Sequence, residues 1–283
     1  MSEKKVWFIT GTSSGLGRAL AEEVLSQGFR VVATARKPEV LQDLIEKYPD
    51  TARAVKLDVT NLQDVKNSIE TAVREFGRID VVVNNAGYGL VGAIEETSDA
   101  QVKHQFDANV FGVLNVTREV LPLLREQKSG HIVNISSLVG FSAFPGFGIY
   151  SATKFALEGL SEALAAEVAP HGIKTTVVAP GPFHTGFSAK SVAVGENRLP
   201  EAYPVTEELI NAFPQFDGPT SGDPKKAVKI IVEAVLSENP PFNLPLGQFA
   251  FDGIDAKFER VKKDLDGWRE RATQTNFDTA ATA

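Results

Sequence analysis

An α/β fold, a doubly wound parallel sheet with helices on both faces, is what this sequence predicts, and three observations carry the prediction. Short apolar, β-branched runs alternate with longer segments whose apolar residues recur at three- and four-residue steps. The first run leads directly into a glycine turn and then a helical pattern, the order in which a dinucleotide site is built. Lastly, 283 residues at 43% hydrophobic composition suffice for one large core and are few for two, so one domain over 1–283 is expected.

Strand candidates are 6–9, 30–35, 54–57, 80–84, 131–136 and 174–179, each short, apolar and rich in branched side chains. Between them, 16–27, 38–47, 61–76, 98–126 and 148–169 have helical periodicity and serve as crossovers. Pro38 suits a first helical turn, where a missing N–H costs nothing, and Asn61 is placed to accept from the free amides that open the third helix. After Ala179 the alternation breaks. Residues 186–224 hold Pro200, Pro204, Pro214 and Pro219 among scattered apolar side chains, which reads as an inserted substrate lobe, helical over 205–213. A helix over 227–236, a last strand over 242–246 and an extra amphipathic C-terminal helix over 248–271 follow. The Thr/Ala-rich end, 273–283, is expected to fray.

Composition removes several classes of function. A net charge of -7 offers no basic cluster for releasing phosphate counterions, so no nucleic-acid surface is expected. The absence of cysteine excludes disulfides and thiolate chemistry, and His104, His131, His171 and His184 lack metal-ligand spacing, so no metal site is expected; only His184 is a candidate to line a pocket. No apolar run approaches spanning length and the first residues lack a signal-peptide pattern, which predicts a cytoplasmic protein without a membrane span. Asn115-Val116-Thr117 and Asn134-Ile135-Ser136 match glycosylation triplets, yet fall in a predicted helix and a predicted buried strand, and are read as accidental.

The chemistry concentrates in two places. In Thr10-Gly11-Thr12-Ser13-Ser14-Gly15-Leu16-Gly17, Gly11 permits a tight turn, Gly15 lets main chain approach a phosphate, and Gly17 lets the new helix pack on its strand with its free amides facing a pyrophosphate. In the second place, Tyr150 and Lys154 lie one helical turn apart with Ser137 a short loop upstream. A free phenol titrates near ~10; a neighbouring ammonium favours its anion, so Tyr150 is expected to exchange a proton with a carbonyl or alcohol oxygen.

These motifs, with Asn84-Asn85-Ala86-Gly87, Asn109, Tyr150-Ser151-Ala152-Thr153-Lys154 and Pro180-Gly181 in order, make the chain resemble the short-chain dehydrogenase/reductase family from about residue 5 to residue 185. The steroid- and retinol-dehydrogenase-like carbonyl reductase branch is the most similar. The resemblance implies a Rossmann-type fold and a catalytic set of Asn109, Ser137, Tyr150 and Lys154, with Ser137 orienting the substrate oxygen, Lys154 also bonding the nicotinamide ribose and Asn109 holding a relay water. It implies cofactor contacts from the turn residues Gly11, Thr12, Ser13, Ser14, Gly15, Leu16 and Gly17, and from Asn85, Ala86 and Gly87. Further contacts are implied for Asp58 and Val59 beside adenine, and for Pro180, Gly181, Phe183 and Thr185 beside the carboxamide. A structural Asp58 that caps its own loop, a buried Asn109 that satisfies local backbone, and Thr185 as an N-cap are the alternatives.

Arg36 stands at the end of the second strand, where family members preferring NAD usually place an acid; a guanidinium clamps a 2′-phosphate, so NADP(H) is the expected cofactor. Ser14 departs from the pattern, since many NADP-dependent relatives have a second basic residue there. Phe141, Phe144 and Phe147, with Phe183, Phe187, Leu209 and Phe213 from the lobe, suggest an apolar aromatic pocket for a bulky ketone or secondary alcohol. The expected activity is an NADPH-dependent oxidoreductase that transfers hydride between the nicotinamide and such a substrate. Epimerisation or dehydration on the same scaffold, or a non-catalytic NADP(H)-binding sensor or scaffold, are the rivals. The resemblance implies a homodimer paired through 98–126 and 148–169, with a homotetramer as the alternative, whose second contact surface the C-terminal helix is placed to cover.

Overall fold

The computed structural model describes residues 4–213 and 222–275. Seven strands form one parallel sheet: β1 (Val6–Ile9), β2 (Arg30–Ala35), β3 (Ala52–Lys56), β4 (Val81–Asn84), β6 (Gly130–Ile135), β7 (Ile173–Pro180) and β9 (Asn243–Leu246), in the order β3-β2-β1-β4-β6-β7-β9. Period-two alternation builds two cores from one strand. Trp7 and Ile9 of β1 face Leu20, Val24 and Ile231 from the helices α1 (Gly15–Ser26) and α9 (Pro224–Leu236). Val6 and Phe8 face Ile69, Val116 and Leu164 from α3 (Leu62–Phe76), α5 (Gly112–Gln127) and α6 (Gly148–Val168) on the other side. All four β1 side chains are fully buried, as a strand covered on both faces requires.

Strand order reverses between β1 and β4, so their carboxyl ends part and leave a crevice at that point. The expected doubly wound Rossmann-type architecture is thus present. Asn61 caps α3 by accepting from the Gln63 and Asp64 amides, and Pro38 opens a helical turn, as expected.

Three elements differ from expectation. The predicted 38–47 helix is a 3-10 turn, Pro38–Leu41, followed by α2 (Gln42–Lys47). The predicted 98–126 helix is divided into α4 (Asp99–Phe106), a π-helical segment Asp107–Phe111, and α5, because one extra residue widens the coil where Asn109 turns inward. A two-stranded parallel sheet was not anticipated: β5 (Gly89–Val91) pairs with β8 (Val192–Val194) and ties the lobe to the main body. The lobe also contains α7 (Phe187–Lys190) and α8 (Pro204–Ala212), and the chain closes with α10 (Gln248–Ala272). Residues 214–221 of the lobe, with Pro214 and Pro219, and most of the tail expected to fray lie outside the described residues.

Glu96 secures the lobe. Its buried carboxylate accepts from the Ala93 amide (2.8 Å), the Leu199 amide (2.7 Å) and the Arg198 guanidinium (2.9 Å), a set of charge-assisted bonds spanning a hundred residues of sequence.

Candidate functional site

The crevice opens into a cavity of about 840 Å³ that begins at Arg36, Asp58 and Val59, passes the glycine turn, and ends at Ser137, Tyr150 and the aromatic lobe. At its first end, Gly11 has φ +69, and a Cβ there would stand 2.9 Å from the Ala86 Cα. Gly17 has no such angle but less room, since a Cβ would meet Asn85 Nδ2 at 2.3 Å and the Gly11 carbonyl at 2.4 Å. Asn85 closes the turn. Its Nδ2 donates to the carbonyls of Thr10 and Gly11, both at 2.9 Å, while the Asn85 and Ala86 amides donate to Thr10 Oγ1. The N-cap of α1, Ser14, makes no side-chain cap bond, so the opening amides of a twelve-residue helix keep their donors directed at the cavity.

Thr12 is a correction to the sequence reading. It is fully buried, and both its amide (2.9 Å) and its hydroxyl (3.1 Å) donate to the Thr34 carbonyl, which turns it away from the cavity that Gly11, Ser13, Ser14, Gly15, Leu16 and Gly17 line. Asp58 does the capping work of the alternative reading: the Thr60 amide and hydroxyl donate to it at 3.0 and 2.7 Å. Burial pushes its carboxyl up, but the Thr60 bonds and the nearby Arg36 charge outweigh that and hold it below the ordinary range. Arg36 itself is exposed at the cavity rim.

At the other end, β6 delivers Ser137 and α6 delivers Tyr150 and Lys154. Ser137 caps the 3-10 turn Leu138–Gly140, which fixes its backbone, and Tyr150 is 8% exposed with its ring against Phe147 and Phe187. Lys154 Nζ donates to the Ile135 carbonyl at 2.8 Å and lies 5.7 Å from the Tyr150 ring centroid. Burial dominates both groups. The Tyr150 phenol is pushed up to about 12 by desolvation, with the Ser137 hydroxyl pulling it back, and burial pushes Lys154 down to about 8, with the Glu158 charge opposing. Burial therefore moves the phenol in the direction opposite to the acidified tyrosine that the helical spacing suggests, with only the Ser137 hydroxyl opposing it, so Tyr150 keeps its proton at neutral pH.

Asn109 is brought near these groups without lining the cavity. It is 1% exposed, accepts from the Tyr88 amide (3.1 Å), and donates to the Tyr88 carbonyl (2.9 Å) and to Thr153 Oγ1 (3.2 Å), whose own hydroxyl donates to the Tyr150 carbonyl. The local-backbone alternative is thus realised. Asn85, Ala86, Gly87, Pro180, Gly181, Phe183 and Thr185 all line the cavity. Thr185 shares the cap of α7, accepting from the Phe187 amide at 3.3 Å, although Gly186 holds the N-cap position.

The substrate end is apolar, as expected, and Phe144, Phe147, Phe187, Leu209 and Phe213 face it. Phe141 does not, because its ring packs edge-on against Phe258 of α10. His184 is likewise absent from the lining, whereas His104 lines the cavity, with Nδ1 2.7 Å from the Tyr88 hydroxyl. Tyr88, which directly follows the Asn84-Asn85-Ala86-Gly87 motif, was legible by position; His104 and Phe249, brought in from α4 and α10, carried no local signal. Among the described residues no cluster of metal-ligating side chains occurs and no helix is long and apolar enough to cross a membrane. Asn134 and Asn115 donate inside the protein, to Ser161 and to the Val59 carbonyl, in agreement with reading both triplets as accidental.

These residues fit a dinucleotide. Uncapped helix amides, a turn in which side chains have no room, and an exposed guanidinium at the far rim match a pyrophosphate flanked by two sugar groups.

A family model described as short chain dehydrogenase matches residues 5–194. Oxidoreductase BOA17 of Botryotinia fuckeliana is 40% identical over 271 residues, covering 94% of this chain and 97% of the relative. A 3-ketodihydrosphingosine reductase of Bacteroides thetaiotaomicron is 38% identical over 252 residues, covering 87% and 88%. Among solved structures, a short-chain dehydrogenase from Streptomyces avermitilis superposes with TM-score 0.91 at 42% identity, covering 98% of this chain and 100% of that one. A Burkholderia phymatum short chain dehydrogenase/reductase in complex with NAD gives 0.80 at 25%, covering 93% and 97%. ElxO with NADP bound gives 0.70 at 30%, covering 86% and 96%.

Proposed function

The chain belongs to the short-chain dehydrogenase family and is an oxidoreductase built for a nicotinamide cofactor, and from that premise we propose that it reduces bulky apolar ketones, or oxidises the matching secondary alcohols, with NADP(H). The observation that carries the reading is one continuous cavity with the glycine turn at one end and Ser137, Tyr150 and Lys154 together at the other. Gly11, Ser13, Ser14, Gly15, Leu16 and Gly17 would hold the pyrophosphate, Asp58 and Val59 the adenine side, and Arg36 the 2′-phosphate. Asn85, Ala86, Gly87, Pro180, Gly181, Phe183 and Thr185 would contact the nicotinamide half. Nicotinamide, when bound, supplies or accepts the hydride.

Ser137 donates a hydrogen bond to the substrate oxygen and sets it beside the Tyr150 hydroxyl. Tyr150, protonated at neutral pH, gives its proton to that oxygen during reduction, and the Lys154 ammonium stabilises the phenolate left behind. In oxidation the same phenol must first lose its proton, so that direction gains with rising pH until Lys154 loses its charge. Asn109 holds the Tyr88 loop and Thr153, and through them the backbone of Tyr150; a water that links it to Lys154 would complete a proton path. The substrate range is read from Phe144, Phe147, Phe187 and Phe213, and the relative named 3-ketodihydrosphingosine reductase is in keeping with it. Exposed Phe111 and Phe155 on the predicted pairing segments support a homodimer.

The test is a panel of aryl and long-chain ketones with their secondary alcohols, run with NADPH and NADH in parallel. Faster NADPH consumption with bulky apolar ketones is expected. A clear NADH preference contradicts the role given to Arg36, and no net consumption with any substrate favours epimerisation, dehydration or a cofactor-binding sensor.

A further inference from the structure

Three side chains lie on one face of α6. Tyr150, Lys154 and Glu158 follow one another at four-residue steps, and the third has no part in the chemistry described so far. Glu158 Oε1 is sealed from solvent without a partner at full hydrogen-bonding distance, and Ser136 Oγ is in the same condition. Both atoms meet at one place. A Cβ built on Gly140 would stand 2.7 Å from Ser136 Oγ and 3.2 Å from Glu158 Oε1, so the glycine leaves the space in which this carboxylate sits.

Burying an ionisable group with its bonding capacity unused is costly, and a fold that keeps one has a neighbour that gains from it. The neighbour here is Lys154. Its ammonium is 7% exposed, and its hydrogen bond goes to the Ile135 carbonyl, a dipole that carries no formal charge to pair with the buried cation. Around the pair, β6 and its following turn bring the Ile135 carbonyl and Ser136, the 3-10 turn brings Gly140, and α6 itself brings Tyr150. Among the described residues, Glu158 is the one charged group acting on Lys154, and Lys154 the one acting on Glu158.

We propose that Glu158, steadied by Ser136, is a positioning residue that keeps Lys154 cationic inside the site and so sets the upper pH at which Tyr150 can be used. The inference rests on the Tyr150 and Lys154 reading above. Burial pushes the Glu158 carboxyl up to about 7, opposed by the Ser136 hydroxyl and by the Lys154 charge, so the acid is ionised over the range in which the lysine needs it. Removing the carboxylate leaves desolvation of Lys154 unopposed, and the lysine then loses its proton at a lower pH.

The experiment is kcat against pH for ketone reduction at saturating NADPH, in wild type, Glu158→Gln, Glu158→Asp, Ser136→Ala and Tyr150→Phe. Glu158→Gln is expected to move the alkaline limb down by about one pH unit or more, with NADPH affinity unchanged. Glu158→Asp is expected to restore part of the shift, and Ser136→Ala to move the limb the same way by less. A readout independent of turnover is the pH midpoint for acylation of Lys154 by an amine-selective reagent, followed by peptide mass, which should fall in Glu158→Gln. Superimposable alkaline limbs and acylation midpoints overturn the proposal; if Glu158→Gln does not fold, an unshifted Ser136→Ala overturns it alone. Tyr150→Phe separates the two claims: wild-type turnover there refutes the tyrosine reading, whereas an inactive Tyr150→Phe beside an unshifted Glu158→Gln refutes only the role of Glu158.

Discussion

Replacing Gly17 by alanine adds one methyl group, and its cost can be worked from four distances. The new Cβ would stand 2.3 Å from Asn85 Nδ2 and 2.4 Å from the Gly11 carbonyl oxygen. The second contact is backbone and cannot swing aside, so Asn85 must move. It then gives up two 2.9 Å bonds, to the Thr10 and Gly11 carbonyls, that hold the turn against β4. Overpacking costs about 1–3 kcal/mol, and two lost hydrogen bonds add about 0.5–1.5 kcal/mol each, a total of about 2–6 kcal/mol. At roughly 2–4 °C per kcal/mol for a domain of this size, Tm falls by about 4–24 °C. The control is Gly159→Ala. It adds the same methyl inside α6, where no atom lies within 4 Å, and relieves a helix of its glycine, so stability should rise by about 0.5–1 kcal/mol. Thermal melts of the two variants beside wild type make the assay, and NADPH binding should weaken only in Gly17→Ala. Equal melting temperatures for Gly17→Ala and wild type would refute the close-approach argument.

Two further predictions come from charges. Arg36→Leu should weaken NADPH binding by about tenfold, the lower end for a charge-assisted bond at an exposed rim, and leave NADH binding unchanged; fluorescence titration of both cofactors checks it, and equal losses would show that Arg36 does not select the 2′-phosphate. His131 is buried beside Thr176, and burial, with the Lys174 and Lys5 charges, pushes it down to about 4 against an ordinary value near 6.5. The unfolded chain therefore binds the proton that the folded one refuses, so this stability is complete above pH 6.5 and declines as pH falls towards 4, by about 3 kcal/mol at most. His131→Gln should flatten that slope in urea midpoints measured from pH 4.5 to 7, and an unchanged slope would assign it to other groups.

Most of the sheet was legible in the sequence because each central strand is covered on both faces and reads as a continuous apolar run. Asn61 and Pro38 were legible because capping is local chemistry. The π-helical segment around Asn109 was not, since one inserted residue alters the coil without breaking its periodicity. Nor was the pairing of β5 with β8, whose two three-residue strands lie about a hundred positions apart. The site divides in the same way. Its glycine-turn end sits on contiguous residues, and six of the seven from Gly11 to Gly17 line the cavity. Thr12 does not, because a carbonyl on β2 decides which way it faces. The rest of the lining is assembled from distant elements, the lobe, α4 and α10, so that His104 and Phe249 line the cavity and His184 and Phe141 do not. The direction in which the phenol shifts was not legible, because a helical spacing shows a cation nearby and says nothing of how deeply both groups are buried.

The central claim is that a protonated, desolvated Tyr150 donates to a ketone oxygen held by Ser137. Single-turnover reduction of an aryl ketone by Tyr150→Phe, with NADPH affinity measured on the same sample, tests it most directly. The expected result is a fall of roughly 10²–10⁴ in the rate with cofactor affinity unchanged, because only the transferable proton has been removed. A variant that reduces the ketone at the wild-type rate contradicts the account.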